Sequence, residues 1–323
     1  MLHGYAVSTP SRLLTSGSLR NYGARLFGSG LLCIVLLATL AACAGPAGRQ
    51  ELKPEESPLP QVVTTTGIAE FLSRELLDGV AETRLLGPVV PREKRAEPTP
   101  DEEVRIARAN MVVAYGGNVD ANAIEMVRRL APNTSILTIR DTANNNNFTW
   151  LLAGNLREDA RNLHGKLLKV FTGTQEQMKL NGNLKALDQR LLSLEEELDS
   201  LASTLGGQRV FTDDPRLHPF LESIGIHVIA TVELGVNGAV SEEQRAAIAA
   251  QAANLPARIL IVTHPEKKEQ LAELAREADL TLVYFNPFYD GVTGVGQIDS
   301  VIPRQLRLLG LAMNAALASA STE

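Results

Sequence analysis

Residues 179–205 read KLNGNLKALDQRLLSLEEELDSLASTL, and this stretch decides the fold. Leu180, Leu184, Leu187, Leu191, Leu194, Leu198, Leu201 and Leu205 recur at alternating steps of four and three. That spacing places all of them on one stripe of an α-helix. Lys185, Asp188, Gln189, Arg190, Glu195, Glu196, Glu197 and Asp199 form the polar face, and Gly206-Gly207 supplies a stop. At 1.5 Å per residue the rod is roughly 40 Å long, about the width of a domain. A heptad stripe also suits a coiled coil. The run is single, however, and strand-like segments flank it on both sides. The expected structure is therefore a rigid spine along two α/β lobes.

N-terminal to the spine, the chain alternates between strand and helix patterns. Strand signals fall at 61–66, 84–90, 111–115 and 135–139, where β-branched and apolar residues cluster. Helical spacing follows Gly67 and covers 101–109, 119–130 and 150–170. Polar loops are expected at 91–100 and 141–147, the latter with four consecutive asparagines, Asn144 to Asn147. C-terminal to the spine the grammar restarts. Strands are expected at 208–211, 226–232, 258–263 and 280–285, and helices at 215–224, 241–253, 265–278 and 300–318. Such alternation predicts an α/β fold of two lobes, each a mainly parallel sheet flanked by helices, joined by one long rigid spanning helix. Ligands of such sheets bind beyond the carboxyl ends of the strands, so the cleft shared by the lobes is the expected site.

Composition narrows the function. The chain has 323 residues, enough for two domains, and a formal net charge of -6. It lacks a lysine/arginine tract and a basic aromatic motif, which argues against nucleic acid as a partner. There is no Ser-His-Asp spacing, phosphate-loop glycine pattern or His-Glu-x-x-His, so an enzyme is not expected. Gly291 to Gly296 is glycine-rich but reads as the loop before the last helix.

The N-terminus reads as an address. Arg12, Arg20 and Arg25 precede the apolar run 31–38, and Leu40-Ala41-Ala42-Cys43 follows. The run is shorter than the ~20 residues a membrane span needs. The Leu-Ala-Ala-Cys ending resembles the lipobox of bacterial lipoproteins, which implies cleavage before Cys43 and a lipid on its sulfur. The expected organisation is a signal peptide at 1–42, a flexible Pro/Gly-rich tether at 43–60, an N-terminal lobe at 61–170, the connecting spine at 171–206 and a C-terminal lobe at 207–323. Cys33 leaves with the signal, so no thiol remains for catalysis or metal binding. An exported monomer facing the periplasm or cell exterior is expected, held to a bacterial membrane by its lipid.

Several stretches, taken in order, resemble the zinc/manganese-type solute-binding proteins of ABC transporters. Thr64-Thr65-Thr66-Gly67-Ile68-Ala69 resembles the family's opening strand and helix, and Ala109-Asn110-Met111-Val112-Val113 stands where it has Ala-Asp-Leu-Val-Val. Glu97-Pro98-Thr99-Pro100 is its Glu-Pro-Thr-Pro, and Trp150-Leu151 falls at its His-x-Trp-Leu-Asp-Pro. The resemblance implies two α/β lobes joined by a long helix, an ABC permease as partner, and a divalent metal held by four side chains, two from each lobe. Carried over one by one, those positions are Lys94, Phe148, Asp214 (counted back from Gly225) and Asn286.

Only Asp214 is a strong ligand for zinc or manganese, because such ions need imidazole or carboxylate donors. A protonated Lys94 cannot ligate, and Phe148 has no lone pair. The resemblance thus implies the scaffold with its metal site largely lost, and a Lys94–Asp214 pair across the cleft. A replacement metal site would use Asp214 and His264, with Asp213 and Asp290 near. The same cleft also suits a small polar or anionic solute, or a metal chelate. His218 and His227 read as structural. A second function on the same scaffold is a non-transport lipoprotein, an adhesin or partner-binding module working through its outer faces.

Overall fold

The structure is a computed structural model that describes residues 59–87, 97–140, 148–235, 238–255, 258–287 and 298–320. The expected signal, the tether as far as residue 58 and Cys43 lie outside the described residues, as do Lys94, Asn144 to Asn147, Asp290 and Gly291 to Gly296.

The first sheet contains β1 (Gln61–Thr64), β2 (Glu82–Leu85), β3 (Met111–Ala114) and β4 (Ser135–Thr138), with α1 (Gly67–Leu76), α2 (Pro100–Arg108) and α3 (Ala121–Leu130) between them. Next come α4 (Ala153–Val170) and α5 (Thr174–Leu205). The second sheet contains β5 (Arg209–Thr212), β6 (His227–Thr231), β7 (Ile259–Val262) and β8 (Thr281–Tyr284). Its helices are α6 (His218–Ser223), α7 (Glu242–Ala252), α8 (Pro265–Glu277) and the closing α9 (Ile298–Ala320). All strand pairs are parallel. The strand orders β2-β1-β3-β4 and β6-β5-β7-β8 are the same, so the shared grammar of the two halves is a shared topology.

Local chemistry explains the starts of these elements. Thr66 caps α1, its hydroxyl accepting from Ala69 N at 3.3 Å. Glu97-Pro98-Thr99-Pro100 launches α2: Thr99 and Glu102 form a capping box, with proline in the first turn. Two boundaries differ from expectation. β2 begins at Glu82, because Gln61 pairs with Glu82 and Thr83 donates to Glu70 at 2.9 Å. The helix expected from Pro215 begins as a 3-10 turn over Pro215–Leu217, because the Asp214 carboxylate accepts from Arg216 N and tightens the entry.

The spine, α5, is 32 residues long, five more at its start than the leucine stripe alone marks, giving about 48 Å. Leu180, Leu187, Leu191, Leu194, Leu198 and Leu205 are buried, while Leu184 and Leu201 are partly so. The stripe is occupied within the chain, by α1, α4 and α9, which leaves none of it for a coiled-coil partner. Salt bridges flank it, Arg157 with Asp188 (3.1 Å) and Arg190 with Glu75 (2.5 Å) among them. Such half-exposed pairs contribute little, and the apolar stripe does most of the holding. One continuous apolar cluster runs from Val62 in the first sheet, through these leucines, to Met313 in α9. Separate clusters lie on the outer side of each sheet, around Val112 and around Leu260.

Candidate functional site

The loops at the carboxyl ends of the strands meet between the two halves. From the first half come Thr65, the Gly116 turn and the 3-10 turn Thr149–Leu151. From the second come Asp213 and Asp214 after β5, Thr263 and His264 after β7, and Asn286 and Pro287 after β8.

The geometry centres on Arg216, which the sequence reading did not single out. Its Nε donates to both oxygens of Asp214 at 2.9 and 3.1 Å, and its Nη2 donates to Oδ2 at 2.7 Å. The guanidinium carbon lies 4.6 Å from the centroid of the Phe148 ring, in the other half of the molecule. Phe148 N donates to Arg216 O at 3.4 Å. Asp214 is nearly buried, with 5 % of its side chain exposed, whereas Arg216 retains 23 %. The bidentate, charge-assisted pair and the ring beneath it are both contacts that a guanidinium makes better than an ammonium.

A second link sits beside the first. Trp150 Nε1 donates to Pro287 O at 2.7 Å across the seam. Its ring meets Phe148 edge-on at 5.3 Å and Tyr115 at 5.1 Å. Asn286, next to Pro287, is clasped through its backbone: its N–H donates to Gln305 Oε1 at 2.8 Å, and its carbonyl accepts from Gln305 Nε2 at 3.2 Å. Phe148, Asp214 and Asn286 are thus strung around one seam, and the fourth expected position, Lys94, lies outside the described residues. The carboxylate expected to face Lys94 is taken on both oxygens by Arg216.

Among the described residues no three His, Cys, Asp or Glu side chains converge, and Asp290, expected near the replacement metal site of Asp214 and His264, lies outside those residues. Asp213 is committed to the sheet: Thr263 donates to it from N and Oγ1 at 2.9 and 3.1 Å, and Lys267 Nζ lies 3.1 Å away. His264 stands at the residue before α8, where its side chain makes no capping bond, and sits 3.5 Å from Glu266. Burial, and then the charge of Lys267, depress its pKa. His218 and His227 serve the structure, bonded to Thr231 (2.9 Å) and Glu222 (3.2 Å).

Two buried acids stand behind the seam on the first half. Asp159 accepts from Tyr115 Oη at 2.8 Å and from Arg140 Nε at 2.5 Å. Asp120 accepts from Gly116 N at 2.7 Å. Gly116 is required there, with φ of 103° and a position where a Cβ would meet Arg140 O at 2.0 Å. Burial pushes Asp120 up to about 6 from 3.8, and donation from Gly116 N only partly offsets it.

A raised acid binds its proton more tightly in the folded state. The stability this gives is full below the unfolded pKa of about 4 and lost as pH climbs through about 6. The whole swing is about 3 kcal/mol, at 1.36 kcal/mol per pKa unit, and about 2 kcal/mol of it falls between about pH 4.5 and about pH 7.5. Asp120→Asn removes it. Urea unfolding at those two pH values should show the variant gaining on the parent by that amount, and parallel behaviour of the two proteins would refute the assignment.

Among the described residues no helix is long and apolar enough to cross a membrane. By structure, the chain is similar to a ZnuA crystal structure, at 12 % identity and TM-score 0.66, covering 78 % of this chain and 98 % of that one. It is also similar to the periplasmic zinc-binding protein TroA from Treponema pallidum, at 16 % identity and TM-score 0.63, covering 80 % and 99 %. A third similar structure is the nickel complex of FpvC from P. aeruginosa, at 17 % identity and TM-score 0.64, covering 80 % and 98 %. At these identities the likeness shows the fold. No curated protein matches by sequence. The family model for the periplasmic zinc-uptake complex component A, ZnuA, matches residues 62–297, nearly the whole of both sheets and the spine between them, and the chain therefore belongs to that family.

Proposed function

We propose that this protein is an extracytoplasmic solute-binding lipoprotein of the metal-import type, a monomer anchored through Cys43 and working with an ABC permease. In this reading its cleft no longer takes a divalent zinc or manganese ion as cargo in the family's four-ligand manner. The observation that carries the second part is the engagement of Asp214. The one strong donor among the described ligand positions already accepts three bonds from a guanidinium. Phe148 presents a ring and no lone pair. A divalent ion entering here would have to expel Arg216, and would still find too few oxygen or imidazole donors to replace its water. Loading of a small polar solute or a preformed metal chelate, whose ligands arrive with it, fits such a cleft better.

The test is made on mature protein taken from the membrane fraction. Its N-terminal peptide should begin at Cys43 and carry a diacylglycerol mass. Calorimetric titration with zinc and with manganese should give no one-to-one binding in the sub-micromolar range. A stoichiometric sub-micromolar isotherm with either ion would overturn the reading of the cleft.

A further inference from the structure

Arg216 does more than neutralise its neighbour. It springs from the turn Pro215–Leu217 of the second half, and its own backbone N–H donates to Asp214 Oδ1 at 2.9 Å, so the turn and the ion pair are built together. Its charged plane then lies over Phe148 of the first half, and its carbonyl accepts from Phe148 N. Trp150, two residues on, closes the same seam through Pro287 O. Phe148 and Trp150 are each only 2 % exposed, so both rings that meet here are shut away from water.

A positive charge, a carboxylate from one half and a surface from the other make the arrangement by which an ion draws two lobes together. Here the charge is part of the chain. We infer that Arg216 is a tethered cation that latches the two halves, so that their apposition is set by the protein itself and does not wait for a captured ion. The inference deepens the proposed function and rests on it in one respect, that the cleft takes no cation of its own. It makes Arg216 a specificity-determining residue: it excludes free divalent ions from Asp214 and fixes the surface offered to a permease.

The molecule carries its own reporter, since Trp150 is the single tryptophan in the chain and lies in the seam, one ring away from Arg216. Full-length lipidated protein in detergent should show blue-shifted, acrylamide-protected emission that neither EDTA nor added zinc or manganese changes. Arg216→Ala should keep its far-ultraviolet circular dichroism while its emission moves to the red and its quenching constant rises severalfold. Arg216→Lys, which keeps the charge but loses the fork, should fall between the two.

An Arg216→Ala protein that folds and stays as protected as the parent overturns the latch, as does a parent that opens on EDTA treatment. Where Arg216→Ala does not fold, Asp214→Asn carries the test: greater quenching supports the latch and unchanged quenching overturns it. Tight zinc binding by the parent with no change at Trp150 would instead remove the reading of the cleft, and with it the exclusion of ions by Arg216, while the joining of the two halves by Arg216 would stand.

Discussion

Trp150→Ala is expected to lower the stability of the protein by about 4 kcal/mol, read as a shift of the urea midpoint followed by circular dichroism. Three losses combine. The indole is 2 % exposed, and its removal leaves a large cavity between Tyr115 and Phe148. Two edge-on aromatic contacts disappear, each contributing about 0.5–1.5 kcal/mol beyond buried area. Pro287 O also loses the donor that reaches it across the seam. Trp150→Phe separates these effects: it keeps much of the volume and should cost substantially less, with about 1 kcal/mol of its loss due to the hydrogen bond. A cost below about 1 kcal/mol for the alanine variant would mean that the seam is not packed as described.

Asp159→Ala is expected to cost about 3–5 kcal/mol, because it removes the charge partner of Arg140 and the nearer acceptor of Tyr115 together. Arg140 loses the partner of its Nε and is left with the Asn155 carbonyl at 3.5 Å, and the Tyr115 hydroxyl loses its acceptor at 2.8 Å and is left with Thr149 Oγ1 at 3.4 Å. Burial raises the Tyr115 phenol far above its ordinary range, so it remains a donor throughout the physiological range and cannot neutralise Arg140 in place of the carboxylate. Burial likewise raises Asp159 itself, with Arg140 pulling the other way. Tyr115→Phe removes only the neutral partner and should cost about 1 kcal/mol. The order Asp159→Ala worse than Tyr115→Phe is the discriminating result. The reverse order would show that the Asn155 carbonyl suffices for Arg140 and that Asp159 does not hold the network.

The scaffold was legible because its signals are local. Leucines four and three apart mark α5, β-branched runs mark the strands, and Thr99-Pro100 with Glu102 marks the start of α2. The expectation that Phe148, Asp214 and Asn286 line the cleft came from the family resemblance rather than from periodicity. The partner of Asp214 did not follow, because position counting asks which residue stands at a ligand site and not what bends back onto it. A signal was present in Asp214-Pro215-Arg216, where an aspartate ahead of a proline-led turn brings the third residue's N–H, and with it the side chain, back to the carboxylate. The Tyr115–Arg140–Asp159 group has no comparable signal. Its members are 19 to 44 positions apart and meet only because β3, the end of β4 and α4 pack together.

The unbroken apolar interior that passes from the first sheet through α5 to α9 has a consequence for how the molecule comes apart. A chain whose two ends lean on one common beam has no clean line along which to be cut. Severed at Gly206, the N-terminal piece would keep the beam but bare the leucines that α9 covers, and the C-terminal piece would lose its wall altogether. The halves look alike in plan, yet neither is built to stand without the other.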